Sequence, residues 1–292
     1  MKSLPDEIKF TKMHGNGNDF VVIDEFNEIL ITEELKPDFV KTVCDRRFGV
    51  GGDGLIFIQP SERADVRFRY FNSDGGEAEM CGNGIRCFSR FVVEEKYVDR
   101  ELKVETLAGI KELKVSIENG EYWIRVDMGK PEFESDKIPA KDIEKSLWEK
   151  EFDINGGKYR VYAVNTGVPH AVIFVESFNF EINEIARKIR YSEFFPTGIN
   201  VNFVKVKSKE EIEIRTYERG VEDETLSCGT GSVASAVVAN KLNMVLDSVK
   251  VKTKGGILRI EIEDSVYMTG TANSVFDGVI RLKELKKLNY ED

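Results

Sequence analysis

Apolar residues along the chain recur with two periods, and the order in which the periods alternate is repeated. Short runs rich in Val, Ile, Phe and Tyr predict strands near residues 19–24, 55–59, 65–72 and 102–107, and again near 171–175, 201–206, 211–217 and 249–254. Alternating stretches from Lys111 to Ile117 and from Leu258 to Ile262 add a hairpin arm to each half. After Cys81 the residues Ile85, Phe88, Phe91 and Val92 fall on one helical stripe. After Cys228 the run Val233, Ala234, Ala236, Val237, Val238 and Ala239 predicts a small-residue helix suited to close packing.

The two helices open with the same loop, and the likeness extends on either side. Cys81-Gly82-Asn83-Gly84 and Cys228-Gly229-Thr230-Gly231 lie 147 positions apart. At the same offset Val104 to Ile110 matches Val251 to Ile257, and Arg69-Tyr70-Phe71-Asn72 aligns with Thr216-Tyr217-Glu218-Arg219. With gaps, His14 to Val22 aligns with Asn165 to Ile173, and Phe48 to Ile56 with Pro196 to Val204, each a Gly-rich loop entering an apolar run. The expected fold is α+β: two pseudo-symmetric domains of like topology from an internal duplication, each a mixed sheet wrapped around a central helix, with an active-site cleft between them. The boundary falls between Arg125 and Glu134, where Gly129 and Pro131 punctuate the chain. This gives residues 1–128 and 129–271, with 272–292 crossing back to the first half.

Composition narrows the function. A chain of 292 residues exceeds one comfortable core, and its 41% hydrophobic and 32% charged residues describe a soluble globular protein without a membrane-length apolar run. Met1 to Phe10 reads as no secretory leader, so the expected location is cytoplasmic. A formal charge of −10 disfavours nucleic acid and leaves a small molecule as the expected partner. The four cysteines show no C-x-x-C spacing, which argues against a zinc site, a redox motif or a disulfide scaffold.

The two cysteine loops suit acid/base chemistry. A helix N-terminus presents unpaired N–H groups and the positive end of a dipole, which stabilise thiolate over thiol. A free thiol titrates near pH ~8.5, so modest stabilisation lets one group accept a proton and another donate one at neutral pH. For a lone cysteine, burial as a small apolar side chain is the competing explanation. Two cysteines in equivalent loops weaken it, because inversion of a carbon stereocentre through a planar carbanion requires two groups on opposite faces. Cys87 lies six residues beyond Cys81, off its helical face, and Cys44 has no acid/base neighbour in sequence; both read as core packing.

On these residues the chain resembles the diaminopimelate epimerases. The likeness is carried by Lys12 to Phe20, Phe71-Asn72-Ser73-Asp74-Gly75, Cys81 to Cys87, Val168-Pro169-His170, and Tyr217-Glu218-Arg219-Gly220 through Gly231. It implies that LL-diaminopimelate is epimerised to the meso form without pyridoxal phosphate, in lysine and peptidoglycan-precursor biosynthesis, by a homodimer. It implies that Cys81 and Cys228 are the two bases, and that backbone N–H groups around Gly82, Asn83, Gly229 and Thr230 hold the α-carboxylate. Glu218 would meet the α-ammonium and, with His170, tune the thiols. Asn72, Asn200 and Arg219 would hold the distal amino-acid end, and Asn18 would line the pocket. No metal and no cofactor are implied.

The chain departs from the family pattern at two places. Val168 stands where many members have Asn, with Asn165 as the expected substitute, and Gly54 stands where many have Gln. Two other functions fit the motifs less well. One is a racemase of proline or hydroxyproline, against which Cys-Gly-Asn-Gly and Arg219 argue. The other is a noncatalytic module binding a dicarboxylic amino acid, its cysteines serving as redox sensors.

Overall fold

Parallel strands need crossover connections long enough to hold a helix, whereas antiparallel strands need only a turn. Both devices order this chain. The computed structural model describes residues 5–134, 136–138, 140 and 149–285. Residues 1–4, 135, 139, 141–148 and 286–292, parts of the expected segments 1–128, 129–271 and 272–292, lie outside the described residues. The chain divides into two compact units, Met1–Val126 with Thr271–Asp292, and Asp127–Gly270.

The first unit begins with β1 (Glu7–Gly15) and β2 (Asn18–Asp24), joined by Asn16-Gly17. Both turn residues have positive φ, 53° and 85°, the type I′ geometry that matches strand twist. Helix α1 (Lys36–Cys44), with Pro37 in its first turn, carries the chain to β3 (Gly54–Gln59), which runs parallel to β2. Strand β4 (Val66–Asn72) returns antiparallel to β3, and β5 (Glu77–Ala78) pairs briefly with it. Helix α2 (Gly82–Glu94) leads to β6 (Glu101–Thr106), parallel to β4, followed by β7 (Gly109–Glu118) and β8 (Glu121–Asp127). All six residues of β3 are buried because α1 packs against it and so does α2. On the α1 side, Phe39, Val40 and Val43 meet Val21, Ile23, Leu55 and Phe57. On α2 the predicted stripe is buried at Ile85, Phe88 and Val92, while Phe91 is half-buried at its edge.

The second unit repeats this order. It comprises β9 (Glu149–Ile154), β10 (Gly157–Asn165), β11 (Pro169–Phe174), helix α3 (Ile182–Arg190), β12 (Asn200–Ser208), β13 (Glu211–Glu218), β14 (Asp223–Thr225), helix α4 (Gly229–Lys241), β15 (Ser248–Thr253), β16 (Gly256–Ile262) and β17 (Val266–Thr271). β11 and β12 are parallel, as are β13 and β15, and the other neighbours are antiparallel. The strand in the first unit equivalent to β9 comes from the other end of the chain: β18 (Asn273–Arg281) pairs antiparallel with β1, as β9 does with β10. Each unit is thus a mixed sheet around one central helix, α2 or α4. Helix α4 is buried on every side from Gly231 to Ala239. Its two serines return their hydroxyls to carbonyls one turn back, Ser232 to Cys228 at 2.8 Å and Ser235 to Gly231 at 2.7 Å.

The structure corrects the register of the duplication. Arg69 makes a bidentate pair with Glu77, and Arg215 makes the same pair with Glu224. Arg69 is therefore equivalent to Arg215, Tyr70 to Thr216 and Asn72 to Glu218, one residue away from the alignment by sequence. Ile56 pairs with Val22 and Tyr70, and Asn202 pairs with Val172 and Thr216, so Ile56 corresponds to Asn202 rather than to Val204. His170 likewise corresponds to Phe20, not Asp19. Such a slip is consequential because a shift of one residue in a strand exchanges its two faces.

One buried ion pair holds α1 to its sheet. Lys36 and Glu25 are both fully buried with Nζ and Oε2 3.1 Å apart. Lys36 Nζ also donates to Ile31 O at 2.5 Å, while Glu25 accepts from Gln59 at 2.7 Å and from the Leu30 and Ile31 amides. Removing one partner strands a buried charge, so Lys36→Met is expected to destabilise the protein by about 3–5 kcal/mol. In urea unfolding, adding Glu25→Gln to that variant should recover part of the loss; simple addition of the two losses would show that the pair is not coupled.

Candidate active site

A cysteine immediately before a helix can turn its sulfur toward the unpaired amides of the first turn. Cys81 is the N-cap of α2, in extended conformation, and its Sγ accepts the Gly84 N–H at 3.4 Å. The helical ladder starts when Ile85 N–H reaches Cys81 O at 2.8 Å, so the amides of Gly82 and Asn83 come before it. Asn18 Oδ1 lies 3.8 Å from Cys81 Sγ and accepts from Asn83 Nδ2 at 3.4 Å. Its other end is fixed, since Nδ2 donates to Asp53 at 2.7 Å. Asp53 is tied to Arg46, which also binds Asp19, itself paired with Lys12. Burial pulls the Asp19 carboxyl upward, but hydrogen bonds from Arg46 and Lys12 overcome it and hold the group well below the usual carboxylate range.

Arg86 secures the loop from beneath. It is fully buried and donates to Asn83 Oδ1 at 2.9 Å, Asn16 Oδ1 at 2.8 Å, Gly82 O at 2.9 Å and Thr271 O at 3.2 Å. Burial pushes its pKa down to about 10, which leaves the guanidinium charged at neutral pH. Cys87 and Cys44 are buried, and burial pushes each thiol up to about 12; both are packing groups, not reactive ones.

Cys228 is the N-cap of α4 in the same extended conformation, with Ser232 N–H on its carbonyl at 2.9 Å. Its sulfur lies 3.4 Å from Thr230 Oγ1, which is 2.9 Å from His170 Nε2. His170 Nδ1 is 3.0 Å from Asn202 Nδ2, and Asn202 Oδ1 accepts the Thr216 hydroxyl at 2.9 Å. Thr166 completes the setting by donating to Thr230 O at 3.0 Å. His170 is fully buried, and its pKa is pushed down to about 3 by burial and then by the charge of Arg219. The imidazole is neutral.

The other expected site residues separate into two kinds. Asn18 and Asn83 are gathered at Cys81, and Thr230 and His170 at Cys228. Glu218 ends β13 and accepts the Thr225 hydroxyl, and Arg219, next along, donates to the carbonyls of Thr197 and Gly198 at 3.3 and 3.4 Å. Asn200 is buried, its amide spanning Pro169 O at 3.1 Å and the Arg219 N–H at 2.8 Å, so it clamps the Arg219 backbone. Asn72 is exposed at the end of β4. Asn165 spends its amide on Lys137 O and the Gly167 N–H, which shapes its own turn. Gly54 has no room for a side chain: a Cβ there would lie 2.5 Å from Phe71 O and from the Tyr70 ring.

Asn202, Thr216, Thr166 and Arg86 were not singled out from sequence. Asn202 was detectable in principle, because an asparagine replaces an isoleucine at the equivalent core position once the register is right. Among the described residues no cluster of three or more His, Cys, Asp or Glu is arranged to hold a metal ion, and no helix is long and apolar enough to cross a membrane.

Comparison with known proteins adds the family. The model of the diaminopimelate epimerase family matches residues 10–134 and 162–275, taking in both cysteine loops. The chain is 62% identical over 280 residues to a diaminopimelate epimerase of Archaeoglobus fulgidus, covering 96% of this chain and 98% of the relative. It is 49% identical to one of Methanothrix thermoacetophila, covering 97% and 99%. Among solved structures, a Bacillus anthracis phenazine biosynthesis protein of the PhzF family matches with a TM-score of 0.66 at 20% identity, over 94% of this chain and 99% of that one. A probable proline racemase from Agrobacterium radiobacter matches with a TM-score of 0.68 at 15% identity, over 94% and 93%. These two likenesses describe the fold; the matches that run through both halves at high identity establish that the chain belongs to the diaminopimelate epimerase family.

Proposed function

We propose that the protein converts LL-2,6-diaminopimelate to meso-diaminopimelate by a two-thiol acid/base mechanism. The observation that carries the mechanism is that each duplicated unit places a cysteine at the N-cap of its central buried helix. The substrate comes from the relatives' name and from Arg219, a cation suited to a distal carboxylate. One thiolate removes the α-proton, the carbon becomes planar as charge spreads into the α-carboxylate, and the other thiol returns a proton to the opposite face. The thiol that gave its proton is left as thiolate, so each turnover exchanges the protonation states of Cys81 and Cys228.

The residues divide this work. Backbone N–H groups of Gly82 and Asn83, and of Gly229 and Thr230, hold the α-carboxylate, where the developing negative charge is largest. Glu218 meets the α-ammonium. Arg219 holds the distal end together with Asn72, and Asn200 acts there by fixing the Arg219 backbone. Asn18 lines the pocket beside Cys81. His170 tunes Cys228 through Thr230 as a neutral group. Proton transfer between two thiols calls for no cofactor. The same family resemblance supports lysine and peptidoglycan-precursor biosynthesis and a homodimer, and a reducing cytoplasm suits four free cysteines.

Incubation with LL-diaminopimelate in deuterated water is expected to exchange the α-hydrogen and form the meso isomer, whereas exchange into L-proline alone would overturn the assignment. Cys81→Ala and Cys228→Ala should each lower epimerisation by at least about a thousandfold with the fold intact by circular dichroism; substantial turnover in either variant would refute the two-thiol scheme.

Folding stability should report the buried imidazole. Its folded pKa of about 3 lies below the ordinary value of 6.5, so between these two the unfolded chain binds a proton that the folded chain does not. Stability from this group is therefore fully present above pH ~6.5 and is lost as pH falls toward ~3, by up to about 1.4 kcal/mol per pH unit. His170→Gln should flatten that slope in denaturant unfolding measured across the window, and an unchanged slope would contradict a neutral buried His170. Light scattering should give the mass of two chains.

A further inference from the structure

Burying an asparagine in an apolar core is costly unless every polar atom of its amide is bonded. Asn202 is fully buried where the first unit has Ile56, and its neighbours are equally altered. Phe20 stands at the place of His170 and Tyr70 at the place of Thr216, and Phe20 and Tyr70 meet edge to face with centroids 5.8 Å apart. The α4 loop is fitted to this asparagine: a Cβ on Gly231 would lie 2.4 Å from Asn202 Oδ1, so only glycine fits there. One unit thus keeps an apolar contact beneath its cysteine loop, and the other keeps a polar chain.

The directions of the hydrogen bonds in that chain are determined. Asn202 Nδ2 lies 3.0 Å from Ala171 O, which can only accept, so the amide cannot be turned over. The second Nδ2 hydrogen then meets His170 Nδ1, which must offer a lone pair. The imidazole proton is therefore on Nε2 and is given to Thr230 Oγ1. With its oxygen accepting from His170, Thr230 has its own proton to give to Cys228 Sγ.

We propose that Asn202 is a positioning residue that holds His170 in its Nε2–H tautomer, so that the Thr230 hydroxyl donates to the Cys228 sulfur. This rests on the reading of Cys228 as one of the two bases, and it extends that reading to a residue touching neither substrate nor thiol. The hydrogen bond favours the thiolate of Cys228. Cys81, with Ile56 beneath its loop, is outside its influence.

The tautomer can be read directly. The chain has two histidines, His14 and His170, so long-range proton–nitrogen NMR on the wild-type protein assigns the ring nitrogens without crowding. A proton on Nδ1 of His170 would overturn the proposal with no variant needed. Its consequence is read by alkylation with iodoacetamide, resolved by peptide mass spectrometry, with Cys81 as the internal control. Asn202→Leu and Thr230→Val should each slow alkylation of Cys228 by about threefold to tenfold and leave Cys81 unchanged. Thr230→Ser, which keeps the hydroxyl, should restore the wild-type rate. The double variant should be no slower than Thr230→Val alone, because both changes cut one chain. Additive effects, or equal slowing at both cysteines, would show a merely structural role, and an unfolded second unit would instead speed Cys228 alkylation. Alkylation needs no substrate, so failure of the epimerase assignment would appear separately, as absent α-exchange in the wild-type protein.

Discussion

A helix buried along its length must still dispose of the amides in its first turn, and much of this structure follows from how that is done twice. The amides cannot be left bare inside a protein, and a full capping residue would consume them. Cysteine at the N-cap is a compromise. At α2 the sulfur accepts only weakly, from the Gly84 N–H, so the first turn keeps its capacity to bind an anion, and at both N-caps the positive end of the helix dipole favours the ionised sulfur. Glycine at the third helical position faces the core, where a Cβ on Gly84 would touch Ile56 and one on Gly231 would meet Asn202. Around α2 and α4 the sheets curl, and the parallel pairs β2–β3 and β11–β12 exist because α1 and α3 provide crossovers on the other face.

The duplicated plan was legible in the sequence because it rests on residues whose types are dictated: paired Cys-Gly-x-Gly loops, β-branched strands and apolar helical stripes. The ten predicted strands lie within one or two residues of observed ones. Strand β18 escaped because it is exposed along most of its length and shows no alternation, whereas β1 and α3 were legible in principle: Ile8 and Phe10 alternate with charged residues, and Ile182, Ile185, Ala186 and Ile189 form an i, i+3, i+4, i+7 stripe. The exact register was not legible. Loops of unequal length let aligned tyrosines, Tyr70 and Tyr217, mask a slip, and the two prove to lie on opposite faces of their strands. That slip hid Asn202, whose meaning depends on which residue stands in its place in the other half.

The two cysteine sites are alike in backbone and unlike in support. At Cys81 the supporting groups are charged: a buried guanidinium under the loop, and an asparagine anchored to a carboxylate within an ion-pair network. At Cys228 they are neutral: a threonine, an imidazole held uncharged by burial, and a second asparagine. A duplicated gene begins with identical halves, so these supports diverged while the cysteine N-caps were kept. Salt should disturb the first arrangement more than the second, since its outer ion pairs are partly exposed.

The strand that completes the first sheet is made last. β1 pairs along nearly its whole length with β18, so a ribosome-bound chain that has already supplied β1 to β8 still has an open sheet edge. The second unit, by contrast, takes its equivalent strand from the residues just before β10 and can close as it emerges. The half synthesised first therefore keeps one sheet edge unpaired until β18 is made, and during that interval the edge is open to pairing with a chaperone or another nascent chain.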